Sequence, residues 1–371
     1  MANTLNLGTD GNWAVKKDSL LGYNSENGNY KPLPFDFTRA SSATVVNKAG
    51  LIETVGNDIP RIDYSDDANG ALLLEPQRTN LYTYSNDVSF WTKSNVITTS
   101  DYAISPDGTQ NAFRAVSSSI SSLLYITSTG IIGTDNTLSV WAKSNGGSSN
   151  KFRFFGNGTT IKSNDYVATN EWQRFEFTYN CTSVTSGLTG ASDSATNDIL
   201  FYGFQHEDGS YATSYIPTQG SAVTRLAESC SQTVPSGIIG QTEGTVFLNL
   251  SWTEISTNIY YVFNDGTSSN RILIYSTSES EIFILIQSEG ITSASFSING
   301  QNTRVLNKIA VSYKNNDFKV ALNGVIKGTY TSGNVPLGIN FIDFFIYGQI
   351  AENKLYNTAL TDSELQALTT I

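Results

Sequence analysis

RILIY (Arg271–Tyr275) and EIFILI (Glu281–Ile286) stand on either side of the polar linker STSES (276–280). Isoleucine recurs in them at every second position, at 272 and 274 and again at 282, 284 and 286. Successive side chains of a strand point to opposite faces, whereas a helix places its apolar residues three and four apart, so this period predicts strands. Similar short runs recur along the chain: LSVWA (138–142), KFRFF (151–155), WQRFEFTY (172–179) and TVFLNL (245–250). Clusters of Gly, Asn, Asp, Ser and Thr separate them, which is the pattern of an all-β sandwich rather than of βαβ units. Asn323-Gly324, between KVAL and VIKG, predicts a two-residue hairpin, because both residues accept φ > 0. One helix is expected, over TDSELQAL (361–368), where Thr361 and Glu364 have capping-box spacing and Leu365 and Leu368 share a face.

The chain has 371 residues, 22 Lys+Arg against 33 Asp+Glu, and a formal charge of −11 with one neutral His. At about 150 residues per domain this suggests two or three domains. Aromatic residues at 12% provide ample core material, so the chain should fold. The acidic balance argues against nucleic acid and anionic membranes, both of which demand basic patches. Cys181 and Cys230 lack metal-ligand spacing and read as ordinary semi-buried thiols, with a bridge between them as the alternative. The N-terminus lacks a signal-peptide core and no apolar run reaches membrane-spanning length, so synthesis in a cytoplasm without an ordinary export signal is expected.

Composition divides the chain into four segments. Residues 1–37, poor in apolar mass and closed by Pro32 and Pro34, predict an extended N-terminal anchoring arm. Residues 38–80 predict a β-rich connector, 81–232 one sandwich and 233–371 a second, with a boundary loop near Pro235-Ser236-Gly237. Arg78 is read as a structural partner of Glu75 or a strand cap. An arm unable to form its own core needs a partner to offset its ordering entropy, which predicts self-association.

Three stretches carry a family resemblance. LLLEPQRTN (72–80), followed by SNDVSFWTKSNV (85–96), resembles the opening of a jelly-roll module of bacteriophage appendage proteins. GSYATSYIPTQGSAVTR (209–225) is similar to that module's closing strand, and FTRASSATVVNKAGLIETVGNDIPRIDY (37–64) to the segment preceding it. VSYKNNDFKVALNGV (311–325) and AENKLYNTALTDSELQAL (351–368) resemble the last third of a concanavalin A-like lectin or laminin-G-like sandwich. The resemblance implies a head or tail fibre on the virion surface, usually trimeric. Its N-terminal arm would be held by a capsid, portal-neck or tail protein, and its outer sandwich would adsorb to host cell-surface polysaccharide.

Glycosidase chemistry needs only two carboxylates, but the E-x-D-x-x-E strand of glucan-cleaving sandwiches is missing. The nearest pairs, Glu279 with Glu281 and Glu171 with Glu176, fit a solvated strand face better. His206, before Glu207-Asp208-Gly209, reads as part of a polar turn and not as a catalytic group. The loops at 65–70, 105–108 and 264–266 hold Asp-Gly or Asn-Gly turn signals without EF-hand spacing, so no metal or cofactor is expected. Glycan binding needs an aromatic platform with nearby amides and carboxylates. The candidates are Trp252, Tyr260 and Asn264, near one predicted strand end and loop; Tyr260 and Tyr261 face opposite ways. Trp91, Trp141 and Trp172 are assigned to the core. The sequence therefore predicts a jelly roll followed by a concanavalin A-like sandwich in a non-enzymatic virion appendage. A polysaccharide depolymerase and a ligand-free decoration protein are the alternatives.

Overall fold

RILIY and EIFILI pair as an antiparallel ladder, Tyr275 opposite Phe283 and Ile272 opposite Ile286, in a computed structural model that describes residues 4–24, 29–127, 130–146, 150–193, 196–255 and 260–371. The chain forms two units, one of Met1–Ala40, Gly56–Pro76 and Ala227–Ile371, the other of Ser41–Val55 and Gln77–Leu226.

In the first unit two antiparallel sheets enclose one core. One sheet runs Val325–Tyr330, Asp317–Leu322, Asn307–Lys314, Glu243–Trp252 and Gly348–Tyr356. The far edge of Gly348–Tyr356 is shared by Leu5–Leu7 and Ala71–Leu74. The other sheet runs Ser19–Asn24, Asn29–Thr38, Ser229–Thr233, Phe341–Phe345, Tyr260–Asn264, Arg271–Ser278, Glu281–Ser288 and Ile291–Asn299. Ile272, Ile274, Ile282, Ile284 and Ile286 all enter the core between the sheets, against Leu248, Leu250 and Val320. The helix Asp362–Thr369 begins with the expected capping box and packs Leu365 with Phe247, Ala310 and Ala321 in a smaller cluster.

The second unit faces a five-stranded sheet with a six-stranded one. In the first, Gln110–Ser117, Asn197–Asp208 and Asp135–Ser144 are adjacent. Neighbours so distant in sequence are what a jelly roll produces. Phe113, Leu138, Val140, Phe152, Phe154 and Phe201 fill its core. The hairpin Ala43–Val46/Ile52–Val55 packs Ile52 and Val46 with Tyr202, Tyr215, Trp141 and Trp172. Both cysteines are buried free thiols.

The all-β sandwich architecture agrees with the sequence; the segment boundaries do not. The described part of residues 1–37 is not a free arm. Residues 1–3 and 25–28 lie outside the described residues, but Leu5, Leu7, Leu20, Leu33, Phe35 and Phe37 belong to the first unit's core. A segment that adds strands to an existing sheet needs only one apolar face, so low apolar content does not make it an arm. Pro34 fits because it pairs on one side only, with Leu21, beyond the Thr38–Asp36 stretch that meets Ser229–Ser231. The entropy argument for a trimer, which rested on an unsupported arm, therefore no longer applies. The expected connector is likewise divided: 41–55 joins the second unit and 56–76 the first. The return to the first unit comes at Ala227, ahead of the expected 233.

A buried ion cluster ties the first unit's segments together. Glu228 Oε1 accepts from Arg39 Nη1 at 2.7 Å and from Arg61 Nε at 2.8 Å, while Arg61 Nη2 reaches both Glu228 Oε2 and, at 2.8 Å, Glu75 Oε2. Burial alone would lower the Arg61 pKa; the two carboxylates outweigh it and raise it. Glu75 thus pairs with Arg61, whereas Arg78 lies over the ring of Tyr211, 5.2 Å from its centroid.

Candidate functional site

The ladder that buries isoleucines on one face turns aromatic rings outward on the other. Phe345 lies opposite Tyr260, Tyr260 opposite Tyr275, and Tyr275 opposite Phe283. The four side chains form a row across four adjacent strands, none of them fully buried, and Phe345 is 44% exposed. Ring centroids are 5.5 Å apart for Tyr260–Phe345 and 5.0 Å for Tyr275–Phe283. With strands about 4.8 Å apart, the row spans roughly 14 Å. Next to it runs a second row in the same register, Asp343, Val262, Leu273 and Leu285, so the platform has an apolar floor.

Polar groups border the rings. Burial raises the Asp343 carboxyl, and no hydrogen bond from the described residues offsets it. A half-buried carboxylate left in this state is an acceptor that an incoming hydroxyl would satisfy. Arg271 Nε donates to Gln287 Oε1 at 2.6 Å, one register step beyond the apolar row. Glu281 accepts the hydroxyls of Thr277 and Ser297, and these bonds lower its pKa. Tyr275 is raised by burial first and by Glu281 second, so its phenol stays protonated and can donate. Three strand spacings separate Asp343 from Glu281, a gap of roughly 14 Å before any offset along the strands. Paired glycosidase carboxylates stand within about 10 Å.

Among the sequence candidates, Tyr260 is one of the four rings. Asn264 is on the same face but at the far end of the strand Tyr260–Asn264, roughly 13 Å away. There its Oδ1 accepts the Gly266 amide at 2.7 Å and shapes the turn. Trp252 is a correction: it is 1% exposed and part of the core. Its strand points Val246, Leu248 and Leu250 inward, and position 252 continues that phase. Of the tryptophans assigned to the core, Trp91 is buried, while Trp141 and Trp172 are half-buried beside the Tyr202–Tyr215 cluster. Sequence reasoning missed Tyr275, Phe283, Phe345 and Asp343. Tyr275 and Phe283 lie in the quoted runs in outward phase, and that phase was the available signal.

The other candidates resolve into structural roles. His206 lies within the strand Asn197–Asp208, two residues before its end, and is fully buried, not in a turn. Glu279 is held by Arg304 at 2.9 Å, and Glu176 accepts the Ala212 amide at 3.2 Å. In the three Asp loops, Asp67, Asp107 and Asp265 accept the amides of Asn69, Thr109 and Thr267 at 2.8, 2.8 and 2.9 Å. The described residues hold no group of three or more His, Cys, Asp or Glu placed to bind a metal.

No family model matches the chain, and no curated protein matches it. Solved structures that match parts of the chain include carbohydrate-binding modules and laminin-G domains. A CBM40 of the Ruminococcus gnavus IT-sialidase, bound to α2,3-sialyllactose, is 18% identical over 36% of this chain and 84% of its own, with a TM-score of 0.31. Domain 4 of AbnA, a GH43 extracellular arabinanase from Geobacillus stearothermophilus, in complex with arabinotriose, is 19% identical over 44% and 84%, with a TM-score of 0.31. The LG1-3 region of the laminin α2 chain is 10% identical over 65% of each chain, with a TM-score of 0.28.

Proposed function

We propose that the first unit is a carbohydrate-binding domain that holds an extended, uncharged glycan across the Phe345–Tyr260–Tyr275–Phe283 row and catalyses no reaction on it. The observation that carries this reading is the row itself. Rings at strand spacing offer apolar faces to successive sugar rings, while Asp343 and the Tyr275 phenol take hydroxyls at its border. The absence of a basic cluster in the row favours a neutral ligand, in keeping with a net charge of −11. The wider role proposed is that of a bacteriophage head or tail fibre, exposed on the virion and self-associated, which adsorbs to host surface polysaccharide. Support for that role comes from the resemblance of residues 37–64, 72–96 and 209–225 to fibre proteins.

The test uses the full chain, because the first unit draws on three separate segments and truncation at 232 would remove most of its core. Wild type and the double variant Tyr275→Ala/Phe283→Ala are compared for binding to neutral polysaccharide extracted from bacterial surfaces, with reducing ends assayed in the same tubes. Loss of at least about tenfold in affinity, without new reducing ends, is expected. Unchanged binding by the variant would remove the row from the ligand site. Release of reducing ends would make the protein a depolymerase.

A further inference from the structure

One end of the second unit is not filled by its own side chains. Between the two sheets lies a cavity of about 360 Å³, its open mouth included. Strand phase explains its floor. Ala115 pairs with Ile199 in the five-stranded sheet, and Leu124 with Leu188 in the six-stranded one. These four, with Phe152 and Phe201, belong to the core and line the cavity. The gap arises where the chain can carry no side chain. Phe152 stands opposite Gly190, and a Cβ at Gly190 would come within 2.6 Å of the Ser119 carbonyl oxygen. The loop that crosses here thus excludes a side chain that could fill the space.

The mouth is polar. Ser117, Asn197 and Ser122 line it where their strands end or begin, and they are only 7%, 6% and 4% exposed. Asn197 is committed: its Nδ2 donates to Ser117 Oγ at 3.3 Å and its Oδ1 accepts the Lys151 amide at 3.3 Å. Ser122 is held by its backbone, whose carbonyl accepts the Gly190 amide at 3.2 Å. Its hydroxyl has no partner among the described residues and is not sealed in. A hydroxyl placed so deep without a partner is costly, and an entering polar group would satisfy it. Lys151, the cation on the lining, is engaged by Asp193 at 2.5 Å, so among the described residues the rim offers no free charge.

We propose that this cavity binds a small uncharged amphiphile, with an apolar body of about six carbons between the sheets and a hydroxyl head at Ser122. An ion would lose its water there without gaining a counter-charge. The cavity shares no residue with the row of the first unit and stands independently of it.

The test titrates 1-hexanol, benzene and hexylammonium into the full-length protein, labelled at the isoleucine δ-methyl groups. The resonance lost in Ile199→Val identifies the Ile199 methyl. Hexanol and benzene should each shift it saturably, at roughly millimolar concentration or below. Ser122→Ala should weaken hexanol about fivefold and leave benzene unchanged. Hexylammonium should bind at least about tenfold more weakly than hexanol. Ala115→Leu, which fills the floor, should abolish all three titrations, and Tyr275→Ala/Phe283→Ala should leave them as in wild type. An added side chain can overpack a core, so the methyl spectrum checks that Ala115→Leu folds; if it does not, Ser122→Ala, which removes a single oxygen, decides. An Ile199 methyl that no ligand moves up to its solubility limit overturns the proposal. So does hexanol binding retained by a folded Ala115→Leu, or equal in wild type and Ser122→Ala, or matched by hexylammonium.

Discussion

His206 shows how far burial alone can move a single side chain. Its ring lies between Tyr82 and Tyr179, with centroids at 5.3 and 6.4 Å. Asn136 gives its amide hydrogens to the Ile131 carbonyl at 3.1 Å, so its oxygen is left to accept from His206 Nε2 at 2.9 Å. Burial pushes the imidazole down to about 3, against roughly 6.5 in an unfolded chain. The folded ring therefore stays neutral down to about pH 3, while the unfolded one takes up a proton below about pH 6.5. The stability tied to this ring is complete above that pH and is lost as pH falls toward 3, at most roughly 5 kcal/mol. His206→Gln, which keeps a donor for Asn136, should lose about 3 kcal/mol less than wild type between pH 7 and 4 in urea unfolding. Parallel stability curves for the two proteins would show that the ring is already protonated in the fold.

The Asn323-Gly324 turn shows what a two-residue element can fix. Both residues take φ > 0, at 49° and 81°, and the strands on either side pair Leu322 with Val325. A Cβ at Gly324 would meet nothing nearer than 3.7 Å, so the cost of Gly324→Ala is conformational and about 1 kcal/mol. A lower unfolding midpoint, with faster amide exchange confined to residues 317–330, is the expected result; an unchanged midpoint would mean that the turn adopts another conformer. Turns, caps and strand phases are local, which is why this hairpin, the Thr361 cap and the inward isoleucines were legible in the sequence. The inward phase of Trp252 was legible too, had TVFLNL been extended by two residues. The aromatic row was not, because its register joins Tyr260 to Tyr275 nearby and to Phe345 far along the chain. Strand pairing at that distance leaves no mark in either segment alone. The same limit explains residues 1–37: their alternation marks strands, but the sheet that completes them is supplied by residues beyond 227.

At the scale of the whole chain, the first unit is built from three segments whose ends meet in one buried charge cluster. Arg39, Glu75 and Glu228 stand next to the points where the chain leaves or re-enters the unit, and Arg39 Nη2 also holds the Gly56 carbonyl at 2.6 Å. A hydrophobic cluster of the same volume could match this in stability, but it would leave the Gly56 and Ile59 carbonyls, both bonded to Arg39, without donors. Charge is thus the economical solution where several chain ends with open backbone groups converge. Glu228 is the centre, since it takes both arginines and also accepts the Glu75 amide at 2.9 Å. Glu228→Gln preserves the shape but removes the charge, leaving two buried guanidiniums with Glu75 alone. Breaking such a pair costs about 3–5 kcal/mol. Hydrogen exchange read by mass spectrometry should then show lost protection in Glu243–Trp252 and Asn307–Lys314, with Asp135–Ser144 of the second unit protected as before. A loss under about 1 kcal/mol would place the cluster among pairs that merely balance their own desolvation.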